Sequence, residues 1–301
     1  MSISVKVGNV SLKNPIILAS GTCGFGRELA EYMDLSKLGA LSSKGLTLLP
    51  RDGNQGVRVA ETPSGMLNCV GLQNPGVDAF LSTELDYMVE SGAGVVVNVA
   101  GHSNEDYISM VEKLDPYKDK IDALELNFSC PNVKEGCMVI GSSPKAIEAL
   151  VSDLRKRTDL PLWVKLTPNE TSIAETAKGA EAGGADAIVA INTMLGMAID
   201  VERQRPCLST ITGGLSGPCV KPVAVRMVWQ VAHAVHIPVV GLGGISTAAD
   251  ALEFLMAGAK AVEVGTANFL DPAVTVKIVE GLEDYCQRHK IDDINDIIGI
   301  I

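Results

Sequence analysis

The sequence has few aromatic residues and no excess of positive charge. Phe, Tyr and Trp make up 4% of its 301 residues, too few for the aromatic platforms on which single-stranded nucleic acids stack. Lys and Arg number 25 against 36 Asp and Glu, so the net charge is −11. This charge repels nucleic acids and anionic membranes, and we expect neither as a partner.

Paired cysteines, a signal peptide and a long apolar run are also missing. The cysteines are odd in number and scattered, and none forms a C-x-x-C pair or has the spacing of a zinc or iron-sulfur site: Cys23, Cys69, Cys130, Cys137, Cys207, Cys219 and Cys286. No apolar run approaches the roughly 20 residues of a membrane-spanning helix. We therefore expect a cytoplasmic protein with reduced thiols and no metal.

The hydrophobic residues, 47% of the chain, fall into short aliphatic runs that alternate with helical patterns. Eight runs have strand length: Ile16 to Ala19, Ala40 to Ser43, Val95 to Val99, Ala123 to Leu126, Leu162 to Leu166, Ala187 to Ile191, Pro238 to Gly241 and Ala261 to Val264. Most are apolar on both faces, which is typical of parallel strands covered by helices. Eight such units favour an α/β fold of the TIM (β/α)8 barrel type over an open doubly wound sheet.

Three segments interrupt this repeat. Ser2 to Lys13 alternates around Gly8-Asn9 and predicts an N-terminal β-hairpin that closes the barrel as a lid or plug. Gly45 to Gly76 and Met194 to Val220 are insertions after the second and sixth strands. Neither insertion has the composition of a linker, so we predict a single domain over residues 1–301.

Polar residues or glycines follow nearly every predicted strand, at the end where a barrel carries its chemistry. They are Ser20-Gly21, Ser43-Lys44-Gly45, Asn98, Asn127, Lys165, Asn192-Thr193, Gly243-Gly244 and Gly265-Thr266. One such residue can simply mark where a buried strand stops. Eight together favour a ligand site.

The last two of these loops offer bare backbone N–H groups that lead into helices. This arrangement suits a phosphate, although Gly243-Gly244 is also compatible with a plain tight turn. Lys44 and Lys165 place cations at apolar strand ends, where an unpaired charge is costly. We expect an anionic ligand to neutralise both.

Cys130 follows the fourth strand, where Pro131 takes the chain out of regular structure. Most free cysteines are small buried hydrophobes, but this one is predicted in a loop at the barrel mouth between Asn127 and Asn132. No histidine is predicted near it. The pattern therefore favours a thiol that accepts a proton over one that forms an acyl enzyme.

Several stretches of the chain together resemble class 1 dihydroorotate dehydrogenases. They are Ser20-Gly-Thr22, Ser43-Lys-Gly45, Asn68-Cys-Val-Gly-Leu-Gln-Asn-Pro75, Asn127-Phe-Ser-Cys-Pro-Asn132, Asn192-Thr193, Thr212-Gly-Gly-Leu-Ser-Gly-Pro218, Gly241-Leu-Gly-Gly244 and Val264-Gly-Thr266. The membrane-associated class has Ser where this chain has Cys130. The continuation Val133-Lys-Glu-Gly136 is more similar to class 1B than to class 1A. Cys23, Cys69 and Cys137 stand where relatives have other residues.

The resemblance implies an FMN site and a dihydroorotate site. The implied FMN ligands are Ser20, Lys44, Gly45, Asn98, Asn127, Lys165, Ile191, Gly217, Gly243, Gly244, Gly265 and Thr266. Dihydroorotate would lie among Lys44, Asn68, Cys69, Val70, Gly71, Leu72, Asn127, Asn192 and Thr193, with Asn132 as an addition. Cys130 would remove a proton from one ring carbon while hydride leaves the neighbouring carbon for the flavin.

A class 1B assignment also implies a partner. The chain would form a homodimer core within a heterotetramer, and a second subunit carrying FAD and a [2Fe-2S] cluster would pass electrons to NAD. Three alternatives remain: a class 1A enzyme that uses fumarate, a flavin barrel of the dihydropyrimidine dehydrogenase type, and a non-catalytic barrel that binds a phosphate ligand.

Overall fold

The N-terminal strands form a hairpin beneath a closed barrel. The computed structural model describes residues 1–128 and 143–301. In chain order the described strands are β1 (Val5–Val7), β2 (Val10–Leu12), β3 (Ile16–Leu18), β4 (Ala40–Ser42), β5 (Val59–Thr62), β6 (Gly65–Asn68), β7 (Gly94–Val99), β8 (Ala123–Asn127), β9 (Leu162–Leu166), β10 (Ala187–Ala190), β11 (Met194–Met197), β12 (Ile199–Asp200), β13 (Arg205–Pro206), β14 (Thr212–Ser216), β15 (Val239–Leu242) and β16 (Ala259–Val264).

Eight of these strands close into a parallel barrel in the order β3-β4-β7-β8-β9-β10-β15-β16, and β16 pairs with β3. All five residues of β9 are buried, as expected where helices cover one side of a strand and barrel packing fills the other. The predicted TIM barrel is therefore confirmed. The predicted strands differ from the observed ones by two residues or fewer at either end.

Helices surround the barrel between successive strands. They are α1 (Val77–Ala79), α2 (Leu85–Glu90), α3 (Asn104–Leu114), α4 (Pro144–Arg155), α5 (Ile173–Ala182), α6 (Lys221–Ala232), α7 (Ala248–Met256) and α8 (Val274–His289), and a π-helical stretch (Phe80–Glu84) joins α1 to α2. In α4 the buried residues are Ile147, Leu150, Val151 and Leu154, one face of a helix with 3.6 residues per turn. The Thr247 side chain and Asp250 cap the N-terminus of α7 reciprocally.

The hairpin β1-β2 closes the end of the barrel at which the strands begin. Gly8 turns it with φ +61°, and a Cβ on Gly8 would lie 3.2 Å from the carbonyl oxygen of Asp186, one residue before β10. Val5, Val7, Val10 and Leu12 are buried in the common core. The hairpin is thus a plug at the bottom, opposite the ends that carry the predicted site.

The two predicted insertions meet above the barrel. The first contains β5 and β6 and the second contains β11 to β14, and β11-β14-β6-β5 form one antiparallel sheet. A separate pair, β12 and β13, belongs to the second insertion. The sheet therefore holds the loops after the second and sixth barrel strands next to each other.

Across residues 1–128 and 143–301, no helix is both long enough and apolar enough to cross a lipid bilayer.

Candidate active site

The structure places the predicted ligand residues at the ends of the barrel strands and in the sheet above them. Asn98, Asn127 and Lys165 lie in β7, β8 and β9. Asn68 ends β6 and Gly217 follows β14. The other residues lie within three residues of the ends of β3, β4, β10, β15 and β16: Ser20, Lys44, Gly45, Ile191, Asn192, Thr193, Gly243, Gly244, Gly265 and Thr266. Cys69, Val70, Gly71 and Leu72 form the segment after β6. Cys130, Asn132 and Cys137 lie outside the described residues.

Lys165 occupies the centre of the barrel, and its charge is already met by two carboxylates. Its Nζ lies 2.9 Å from Glu125 Oε1 in β8 and 2.8 Å from Glu263 Oε2 in β16. The Glu125 and Glu263 side chains are fully buried. The expectation that an anionic ligand neutralises Lys165 is therefore wrong, because the barrel supplies its own counter-charges.

Lys165, Glu125 and Glu263 shift one another's pKa in different directions. Burial works against the charge on Lys165, but the two carboxylates outweigh it and raise the pKa of the ammonium. Burial also opposes the charge on Glu125, yet the Lys165 ammonium and the donors around Glu125 lower its pKa. Burial and the neighbouring Glu125 carboxylate raise the pKa of Glu263 well above its usual value.

Asn98 connects this cluster to the loop after β4. Its Nδ2 donates to Glu125 Oε1, and its backbone N–H donates to Ser43 Oγ at 3.0 Å. Its Oδ1 is buried and has no hydrogen-bond partner among the described residues. A Cβ on Gly45 would lie 2.8 Å from that oxygen, so only glycine fits there. An orphaned acceptor beside bare backbone is the kind of position that a ligand donor completes.

Lys44, in contrast to Lys165, has no counter-charge within 4 Å among the described residues. It is partly buried at the end of β4, and burial lowers its pKa. A Cβ on Gly21 would lie 3.9 Å from its Nζ and meet nothing else, so there is open space beside the ammonium. The expectation that an anionic ligand would stabilise the cation therefore still applies to Lys44.

Two amide side chains lie together on the other side of the mouth. Asn192 Nδ2 donates to Asn127 Oδ1 at 3.3 Å, and the Tyr107 hydroxyl donates to the Asn127 backbone carbonyl at 2.6 Å. Amides offer both donors and acceptors, so this pair suits a ring with alternating carbonyl and N–H groups.

Asn169, which the sequence analysis did not select, holds the segment after Asn192. Its Nδ2 donates to the Thr193 carbonyl at 3.1 Å, and its Oδ1 accepts from the Leu195 N–H at 2.8 Å. The amide thus bonds one backbone carbonyl and one backbone N–H of the segment Thr193 to Leu195, as a neighbouring strand would. Its signal in the sequence is faint, because Asn169 lies three residues beyond the end of β9.

The glycine-rich loops after the last two strands converge on the second insertion. Gly243 and Gly244 have φ values of +133° and +79°, and a Cβ on Gly244 would lie 2.7 Å from the Gly217 carbonyl oxygen. The Thr266 hydroxyl donates to Ser216 Oγ at 2.8 Å. The loops after β14, β15 and β16 therefore lie side by side, and the phosphate site expected there stays a prediction.

The segment Asn68 to Leu72 is held by hydrogen bonds from both insertions. Asn68 Nδ2 donates to the Gly214 carbonyl at 3.3 Å, Asn54 Nδ2 donates to the Cys69 carbonyl at 2.9 Å, and the Asn54 N–H donates to the Val70 carbonyl at 3.0 Å. A Cβ on Gly45 would lie 3.4 Å from Leu72 Cδ2. The predicted substrate segment therefore borders the predicted cofactor residues.

The buried acids Glu125 and Glu263 are the main residues that sequence reasoning missed. Glu125 is the one charged residue of β8, and Glu263 lies between Val262 and Val264 in β16, which also contains the half-buried Lys260; a charged residue flanked by apolar ones was the available signal. Among the described cysteines, Cys23 is buried and burial raises its pKa to about 12, whereas Cys69 is half-buried. Within residues 1–128 and 143–301, no cluster of three or more His, Cys, Asp or Glu side chains could hold a metal ion.

Comparison with known proteins identifies what this barrel is similar to. The family described as dihydroorotate dehydrogenase matches residues 2–286. A protein of Parabacteroides distasonis named dihydroorotate dehydrogenase B (NAD(+)), catalytic subunit, is 52% identical over 299 residues, 99% of this chain and 98% of the relative. Proteins with the same name from Lachnoclostridium phytofermentans and Geotalea uraniireducens are 50% and 51% identical over 301 and 299 residues, which are 100% and 98% of those relatives and 100% and 99% of this chain.

Proposed function

The chain belongs to the dihydroorotate dehydrogenase family, and we propose that it oxidises dihydroorotate to orotate in pyrimidine biosynthesis as the catalytic subunit of an NAD-linked enzyme. The observation that carries this proposal is the mouth of the barrel. There Lys44 lacks a counter-charge within 4 Å among the described residues, and Asn192, which follows β10, donates to Asn127 at the end of β8. A carboxylate and a cyclic ureide are the groups that these side chains recognise.

The residues present fit FMN as the cofactor. The orphaned Asn98 Oδ1 and the bare backbone of Gly45 offer a place for a flavin N–H, and the loops at Gly243-Gly244 and Gly265-Thr266 offer backbone donors for its phosphate. Bound FMN supplies the two-electron acceptor that this oxidation needs. We propose the remaining cofactor ligands as predicted from the resemblance: Ser20, Lys44, Asn127, Lys165, Ile191 and Gly217.

The chain's own residues orient the substrate and remove its proton. Lys44 would bind the substrate carboxylate, and Asn127, Asn192 and Thr193 would hold the ring against the cofactor, with Asn68 to Leu72 along the opposite edge. Cys130 would accept the proton from the ring carbon, which is the role predicted from its sequence context.

Electrons must then leave the chain. The relatives are named catalytic subunits, so a partner subunit is implied, and we propose that it carries FAD and a [2Fe-2S] cluster and that two copies of this chain form the core of a heterotetramer. We further propose a cytoplasmic location. Within residues 1–128 and 143–301, no cysteine quartet offers a cluster site.

Two spectroscopic measurements test the proposal. Anaerobic addition of dihydroorotate to the flavin-loaded chain should bleach the flavin band, while dihydrouracil should not. Bleaching by dihydrouracil alone would place the chain with the dihydropyrimidine dehydrogenase type, and a pure protein that binds no flavin would favour a phosphate-binding barrel.

The acceptor is tested with the isolated flavin-loaded chain. It should reduce artificial dyes with dihydroorotate but form little NADH until the partner subunit is added. Rapid NAD reduction by the chain alone would refute the need for a partner, and efficient turnover with fumarate would make the enzyme class 1A.

A further inference from the structure

The centre of the barrel contains two carboxyl groups for a single ammonium. Lys165 Nζ lies 2.9 Å from Glu125 Oε1 and 2.8 Å from Glu263 Oε2, and the lysine side chain is 4% exposed while both acids are fully buried. One ammonium neutralises one carboxylate. If both acids were ionised, a net charge of −1 would be buried, and an uncompensated buried charge is strongly destabilising.

The two carboxyl groups have unequal surroundings. Glu125 accepts from Asn98 Nδ2 and from Ser42 Oγ at 3.3 Å in addition to Lys165. Glu263 accepts from Lys165 alone, and its Oε1 has no hydrogen-bond partner among the described residues. Because hydrogen-bond donors stabilise the ionised form of an acid, the charge belongs on Glu125 and a proton on Glu263.

We propose that the cluster of Glu125, Lys165 and Glu263 holds one proton between its two carboxyl groups, carried mainly by Glu263. Glu263 is then a positioning residue: it fixes the Lys165 ammonium across the barrel without adding a second negative charge beneath the mouth. The part of this proposal that concerns FMN rests on the function proposed above.

The groups around the cluster agree with this assignment. Burial and the Glu125 carboxylate raise the pKa of Glu263, and the Lys165 ammonium opposes them only in part. The residues paired with Glu263 in the flanking strands, Ile17 and Leu242, are apolar.

If the two acids share one proton, either of them can serve as the single ionised partner of Lys165. In Glu263→Gln, Glu125 stays ionised and pairs with Lys165. In Glu125→Gln, Glu263 releases its proton and takes over the pairing. Either single variant keeps a neutral cluster, and only the double variant leaves the ammonium unpaired. If both acids were ionised, each single variant would instead change the cluster charge by one.

Infrared spectroscopy of the apoprotein tests the proton directly. At neutral pH the wild-type apoprotein should show the carbonyl stretch of a protonated carboxylic acid, shifted by transfer to heavy water, and both Glu263→Gln and Glu125→Gln should lack it. Glu280→Gln, on the exposed face of α8, should retain it. Absence of the band from the wild type, or its persistence in both variants, would overturn the proposal.

The midpoint potential of bound FMN gives a second readout in the holoenzyme. Each single variant should stay within tenfold of wild type in the redox equilibrium constant, about 30 mV for a two-electron couple, and the double variant should be shifted upward by more than that. Upward shifts beyond tenfold in both single variants would show that both acids are ionised. If the chain binds no FMN, the proposed function fails, while the infrared result still decides the shared proton.

Discussion

A methyl group added at Gly244 should lower both the stability of the barrel and its affinity for FMN. Gly244 has φ +79°, and a Cβ there would lie 2.7 Å from the Gly217 carbonyl oxygen and 2.9 Å from the Lys221 backbone nitrogen. The left-handed backbone costs an L-residue about 1–2 kcal/mol, and overpacking against atoms that cannot move adds about 1–3 kcal/mol. We therefore expect Gly244→Ala to lower the free energy of unfolding by about 2–5 kcal/mol.

Gly184→Ala is the matched control. Gly184 also has a positive φ, +94°, but the nearest atom to its Cβ would be Arg155 Cγ at 3.4 Å, an ordinary contact. It lies between α5 and β10, at the end of the barrel away from the mouth. In this variant the free energy of unfolding should fall only by the cost of the left-handed backbone, about 1–2 kcal/mol.

The assay compares urea unfolding of the apoproteins with titration of FMN. Gly244→Ala should lose more stability than Gly184→Ala and bind FMN at least about tenfold more weakly, a loss of 1.4 kcal/mol or more. Gly184→Ala should bind FMN as the wild type does. Equal destabilisation of both variants, with wild-type FMN affinity in Gly244→Ala, would refute the phosphate site.

Three further substitutions test other parts of the site. Cys130→Ala should slow flavin reduction by about two to four orders of magnitude with FMN still bound; an unchanged rate would assign the proton to another group. Burial lowers the pKa of Lys44 below its usual 10.5, so the unfolded chain binds more protons and the apoprotein should gain stability as pH rises toward 10.5. Lys44→Met should flatten this gain in pH-dependent unfolding and weaken substrate binding. An unaltered pH profile would contradict the assignment. Asn169→Ala removes the bonds to Thr193 and Leu195 and should raise the KM for dihydroorotate about tenfold, at about 0.5–1.5 kcal/mol for each hydrogen bond, with FMN affinity as the control; equal loss of FMN affinity would mean general disruption.

The barrel could be predicted from the sequence because its strands are recognisable one by one. Leu162–Leu166 has the same bounds in prediction and structure, since a strand buried on both faces reads as a continuous apolar run. Helix ends were less predictable. The pattern of the sequence is compatible with a helix from Lys221 to His236, but α6 ends at Ala232. Pro238 disfavours helical backbone only at Ile237, so it does not mark the end of α6 five residues earlier.

The two lysines of the predicted site show which contacts could be recognised only in the folded structure. Both were expected to await an anionic ligand, but the partners of Lys165 lie 40 and 98 residues away along the chain, in strands that meet it only when the barrel closes. A partial signal existed: side chains alternate along a strand, so Glu125 must face the same way as Asn127, into the barrel. Lys44 lies beyond the end of its strand, where the barrel places no carboxylate within 4 Å among the described residues. The charge that a substrate carboxylate would meet is therefore that of Lys44, while the charge of Lys165 is balanced within the barrel.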